Sequence, residues 1–170
     1  MTKPDINEYP PFYQPYIDVL VQDKGILEML ESSLELFEQI LYEIPEDLEE
    51  FQYAEGKWTI KEIVQHMIDT ERVFVYRALR FVRNDQKEVA GFDENAYVQN
   101  CRIDQRKFSS LLDEFCLLRR STILMFEDFN TADLGLKGKV EGQFMTVRSL
   151  GFVCSGHVLH HLKVIKERYL

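Results

Sequence analysis

Long apolar runs are missing from this sequence: nowhere do about 18 apolar residues follow one another, which leaves no candidate for a membrane-spanning helix. The first residues, Met1-Thr-Lys-Pro-Asp-Ile-Asn-Glu8, contain no apolar stretch of the kind a secretory leader needs, so a cytoplasmic location is expected. Cysteine is scarce. Cys101, Cys116 and Cys154 are odd in number and share no C-x-x-C spacing, which excludes a disulfide framework and a zinc ribbon and leaves reduced thiols as the expectation. Positive charge is also in short supply, with 20 Lys and Arg against 29 Asp and Glu for a net charge of -9. Without a basic run to neutralise phosphates, nucleic acid and anionic lipid are excluded as partners. Internal repeats, low-complexity segments and clean strand alternation bounded by hairpin turns are absent too.

What is present is helical periodicity, in a chain long enough for one core, and residues 1–170 read as a single domain. Leu27, Leu30, Leu34, Phe37, Leu41 and Ile44 recur at spacings of three and four, and Pro45 stops the run, so a first helix is expected over Ile26 to Ile44. Thr59 with Glu62 forms a capping box after Gly56-Lys57-Trp58, opening a second helix that should reach about Arg83. Trp58 beside that cap reads as a core anchor. A third apolar stripe spans about Arg106 to Phe126, and a fourth begins at Thr146 as N-cap and continues to Tyr169. The spacing therefore predicts an all-α four-helix bundle. Residues 84–105 are longer than an antiparallel hairpin needs and suit a crossover between parallel neighbours, helices two and three. Tyr9 to Tyr16 is aromatic and proline-rich and reads as a packed N-terminal arm, with a short helix over Tyr16 to Val21. Asn130 to Met145, with Gly135, Gly138 and Gly142, reads as a loop or irregular hairpin that could cover a site on the last helix.

The four histidines are the chemical signal. His157 and His161 are four apart, which places both imidazoles on one helical face, beside Leu150, Val153, Cys154, Val164 and Ile165. Two inward rings must be neutral and hydrogen-bonded or share an ion, because an unpaired buried polar group costs about 1 to 3 kcal/mol. His66 lies on the second helix at the margin of its apolar stripe, and a third imidazole from there would complete a metal site between two helices with an open position. His160 falls toward the edge of the stripe and is left to support the site or face solvent. Asp69 and Glu71 follow His66 on the same helix and are the candidate catalytic carboxylates, able to orient a ring or accept a proton. Glu71 projects toward the middle of the apolar face, where it needs Arg77 or Arg80 as a partner, or else a raised pKa. Cys154 shares the histidine face but reads as a small core hydrophobe. A plain polar histidine core is the competing account of the same residues.

At Tyr53-Ala-Glu-Gly-Lys-Trp-Thr-Ile-Lys-Glu, His66-Met-Ile-Asp-Thr-Glu71-Arg and Gly156-His157-Val-Leu-His-His161-Leu the sequence resembles the DinB-like superfamily, particularly its YfiT-like and bacillithiol-transferase branch. The resemblance implies an up-down-down-up bundle, dimeric in many members, with a divalent metal on three histidines that correspond to His66, His157 and His161. It implies an enzyme in which a low-molecular-weight thiol, activated at the ion, is transferred to a small-molecule substrate. The alternatives are a hydrolase using metal-bound water and a non-catalytic metal-binding stress protein. Zinc or nickel is the expected metal, with iron or cobalt also suited to three imidazoles.

Overall fold

The computed structural model describes residues 3–170. Four long helices carry it: α2 (Ile26–Leu41), α3 (Ile60–Val82), α5 (Phe108–Glu127) and α7 (Val147–Arg168), with the short helices α1 (Gln14–Asp18), α4 (Glu94–Asn100) and α6 (Thr131–Gly135) between and before them. Two of the starts are set by the expected caps: Thr59 Oγ1 accepts from the Glu62 amide while Glu62 Oε2 accepts from the Thr59 amide, and Thr146 Oγ1 accepts from the Ser149 amide. Three expectations shift. The first helix ends at Leu41 rather than Ile44, the short arm helix lies at Gln14–Asp18 rather than Tyr16 to Val21, and the glycine-bearing segment is regular: β1 (Lys137–Val140) pairs antiparallel with β2 (Gln143–Thr146). Its tight turn uses Glu141 and Gly142, both at positive φ, and this two-residue hairpin geometry is what the alternation search missed.

Side-chain pairings fix the helix directions. Gln65 of α3 meets Arg106 just before α5, and Glu71 meets Arg119, so numbers rise together and the two helices are parallel. Their connection is the long crossover carrying α4. By contrast Trp58 meets Tyr169 and His66 meets His157, so α3 and α7 are antiparallel, as are α2 and α5, where Tyr42 meets Asp113 and Leu30 meets Arg119. The order is up-down-down-up.

The apolar core falls into two clusters stacked along the bundle. One holds Ile26 to Leu30, Phe74 to Phe81, Phe126 and Val147 to Cys154; the other holds Leu34 to Leu41, Ile60 to Ile68, Phe108 to Cys116 and Val158 to Ile165. Between them every long helix contributes buried polar side chains: Ser33 from α2, His66, Thr70 and Glu71 from α3, Arg119 and Thr122 from α5, Ser155 and His157 from α7. A polar layer thus cuts across the middle of the bundle, and the histidines sit at one edge of it.

The N-terminal arm closes that edge. Glu8 is tied to α7 through Arg148 and Thr146, and Ser149 Oγ donates to the Glu8 carbonyl. Gly156 permits the close crossing that follows, since a Cβ there would lie 1.9 Å from the Tyr16 carbonyl oxygen. None of the helices in the described residues is long and apolar enough to cross a membrane.

Candidate metal centre

His66 enters the site from the second turn of α3, and His157 and His161 enter from consecutive turns of α7. Their Nε2 atoms converge. His66 Nε2 lies 2.9 Å from His157 Nε2, which lies 3.1 Å from His161 Nε2. His66 and His157 are each only 3 % exposed, so His66 is set deeper than a cleft mouth, the position the stripe margin suggested for it, while His161 is partly exposed. Burial lowers the His66 pKa to about 4, and it holds His157 and His161 well below the ordinary histidine range, with repulsion from the neighbouring imidazoles adding to the effect. All three rings are therefore neutral at pH 7.

Neutral imidazoles cannot satisfy this arrangement alone. Each ring has one N–H and one lone pair, and the single in-plane position of His157 Nε2 faces two nitrogens at hydrogen-bond distance. At most one of the two contacts can be a good N–H···N bond. A cation accepts all three lone pairs instead. Metal–nitrogen bonds of about 2.0–2.1 Å separate ligand nitrogens by about 2.9 Å at right angles and about 3.4 Å in a tetrahedron, so the two spacings to His157 are close to the first, and small ring shifts would bring all three nitrogens onto one ion. These three residues are a potential ligand group, with ligand atoms within 4.8 Å of one another.

The surroundings are aromatic. Trp58 packs on His66 with ring centroids 4.7 Å apart, Tyr16 meets His157 edge-on at 5.2 Å and His160 at 5.4 Å, and Phe74 backs His157. Thr70 Oγ1 lies 3.4 Å from His66 Nδ1, the nitrogen facing away from the trio. On the open side His161 and His160 line a cleft of about 290 Å³ whose other walls include Tyr53, Lys57, Trp58 and Tyr169. The β1–β2 hairpin contributes nothing to that cleft, so the cover expected from it comes instead from residues 53–58 and from Asn95 of α4.

The structure does not bring the two candidate carboxylates to the ligand trio. Glu71 is buried in the polar layer, where Oε1 and Oε2 accept from Arg119 Nε at 2.8 and 3.1 Å, Oε2 from Arg119 Nη2 at 2.6 Å and Oε1 from Thr122 Oγ1 at 2.8 Å. Its partner is Arg119 of α5, not Arg77 or Arg80, a correction that only the helix packing could supply. Asp69 accepts from Gln65 and lies near Arg72, and burial raises its pKa. Cys154 is a fully buried thiol whose pKa burial pushes up, consistent with a core role.

The residues that reading by periodicity missed are Tyr16, Tyr53 and Tyr169, together with the site role of Trp58. Tyr169 had a signal, since it continues the i, i+4 ladder from His161 through Ile165.

A sequence model of the DinB superfamily matches residues 29–165, a span that contains all three histidines. The chain belongs to the DinB superfamily. Among solved structures it is similar to YfiT from Bacillus subtilis, described as "a probable metal-dependent hydrolase with an unusual four-helix bundle topology", at 15% sequence identity and a TM-score of 0.77, covering 97% of this chain and 90% of that one. No curated protein matches the chain.

Proposed function

We propose that this DinB-superfamily protein is a metal-dependent enzyme that transfers a low-molecular-weight thiol to a small electrophile. His66, His157 and His161 would hold the divalent ion. Bound there, the ion supplies Lewis acidity at an open position and lowers the pKa of a thiol or water placed in it. The observation that carries the transferase reading is the chemistry of the cleft: of its lining residues none is Asp or Glu, and Glu71 is engaged by Arg119 and Thr122. Amide or ester hydrolysis draws on a positioned acid or base to move protons, a part open only to His160 among the cleft residues outside the trio, whereas a thiol bound at the ion would release its proton to solvent before the transfer step. The chain's own contribution is then to orient and to dry. Trp58, Tyr16 and Phe74 fix the rings and exclude water behind them, and Tyr53, Tyr169 and Trp58 offer flat apolar surface to the substrate. Lys57 at the rim can neutralise a leaving anion.

A hydrolase is the second reading, favoured by the description of YfiT. The test is metal content by mass spectrometry on untagged protein, followed by turnover of a fluorogenic bimane halide with a panel of small thiols and of chromogenic esters without thiol. Turnover that requires thiol and metal together, and is lost in His66→Ala and His161→Ala, is the expected result. Thiol-independent ester turnover would replace the transferase by the hydrolase. Metal-bound protein inert to both panels would leave the ion a structural tie between α3 and α7.

A further inference from the structure

A second buried arginine is left without the partner that its chemistry demands. Arg77 of α3 is 2 % exposed, yet no carboxylate among the described residues forms an ion pair with it. Its guanidinium lies over the Phe74 ring, 5.8 Å from the centroid, and makes two long hydrogen bonds, Nη1 donating to Tyr13 Oη at 3.2 Å and Nη2 to the Ala90 carbonyl at 3.5 Å, while Nε has no hydrogen-bond partner. Arg119, equally buried, shows the contrast, with a carboxylate, a hydroxyl and two carbonyls around it. An unpaired buried charge is among the most costly groups a fold can hold, so Arg77 calls for an anion.

Room for one lies beside it. Arg77 lines a cavity of about 250 Å³ together with Tyr13 of the arm, Gly91 and Glu94 of the crossover, and Glu141 and Gln143 of the hairpin. The Tyr13 hydroxyl accepts from Arg77, which leaves its own O–H free to donate to a ligand. The volume sits at the small end of ligand pockets. Two carboxylates against one guanidinium make the cavity net negative, which disfavours a dianion such as phosphate and favours a ligand that carries its own cation. Glu141 is held in place by the hairpin turn, with its carboxylate packed where a Cβ on Gly91 would be, 2.3 Å away.

We propose that this cavity binds the head of an α-amino acid or similar zwitterion, with the carboxylate on Arg77 and Tyr13 and the ammonium between Glu94 and Glu141. The proposal is independent of the metal reading, because its probes need neither metal nor thiol.

The test is a titration of the ¹⁵N-labelled full chain, followed at the Arg77 Nε–H and Gly91 amide signals, with glycine, N-acetylglycine, glycinamide and inorganic phosphate. Glycine is expected to shift both signals saturably, and N-acetylglycine to bind at least about tenfold more weakly for want of the ammonium. Glycinamide should leave Arg77 unmoved. Glu141→Gln, at an exposed position, should weaken glycine but not N-acetylglycine; Arg77→Lys should weaken both. Absence of a saturable shift with either carboxylate in the parent chain would overturn the proposal, leaving Arg77 a strut between the arm and the crossover. Saturation by phosphate alone, or by glycinamide as well as by glycine, would overturn the assignment to an amino-acid head.

Discussion

Protonation and pairing decide what individual residues do here. Three neutral imidazoles gathered in one place resist protonation, so the metal-free protein should lose stability in acid before its carboxylates titrate. In the unfolded chain a histidine takes up its proton near pH 6.5, while folded His66 holds out to about 4. Between those values the unfolded state binds more protons, and stability falls as pH falls, by about 1.4 kcal/mol per pH unit for each such histidine. Glu8 acts in a lower window. Held below the usual carboxylate range against burial by Arg148, the Asp5 amide link and Thr146, it stabilises the fold above its unfolded pKa of 4.5 and loses that contribution below it. Urea midpoints of chelated protein measured from pH 7 to pH 4 should therefore slope, and His66→Gln should flatten the slope; a flat parent profile would mean that the rings are not held neutral. The buried Glu71–Arg119 pair gives a second prediction at this scale. Arg119→Met strands a carboxylate and should cost about 3 to 5 kcal/mol, whereas Glu71→Leu combined with Arg119→Met should recover much of the loss. Denaturant unfolding of the two variants checks it. Part of this was readable beforehand: the i, i+4 histidine pair and the need of Glu71 for a cation follow from periodicity, but the identity of that cation does not, because Arg119 is 48 residues away in sequence.

Elements position the site through their starts and their crossings. Thr59 begins α3 seven residues before His66, so the capping box fixes where the imidazole stands along the bundle. Thr59→Ala removes one side of that box and should cost about 1 kcal/mol while leaving the histidine geometry intact, which unfolding and metal stoichiometry together would show. The crossing of α1 over α7 is less forgiving. Gly156→Ala would drive a methyl into the Tyr16 carbonyl, and relief requires the arm to lift. A loss of about 1 to 3 kcal/mol is expected, with Tyr16 withdrawn from His157 and His160. Tyr fluorescence quenching and thermal melts would register both parts. The long helices were legible because each presents a continuous apolar stripe; α1, α4 and α6 are too short to show one, and the hairpin is held by its turn and by the Val89 bridge rather than by alternation.

At the scale of the whole molecule the bundle is two apolar blocks joined through a polar layer, and the histidine trio is where that layer reaches the surface cleft. An ion on His66 and the α7 pair would cross-link two antiparallel helices that lie far apart in sequence. Bound to the folded state only, it stabilises by mass action, and chelation should lower the melting temperature in proportion to affinity and free metal. His161→Ala should abolish the difference between metal-loaded and chelated protein, and an unchanged melting temperature on chelation of stoichiometrically loaded protein would contradict the cross-link.

The sequence by itself determined the helix periods, the capping box at Thr59, the N-cap at Thr146 and the inward histidine pair, because these rest on spacing within a few turns of one chain segment. Helix direction, the identity of Arg119 as counterion, the aromatic walls of the cleft and the isolation of Arg77 were decided only by the tertiary structure. Each depends on which residues distant in sequence are packed within a few ångströms, and local preference does not encode that distance.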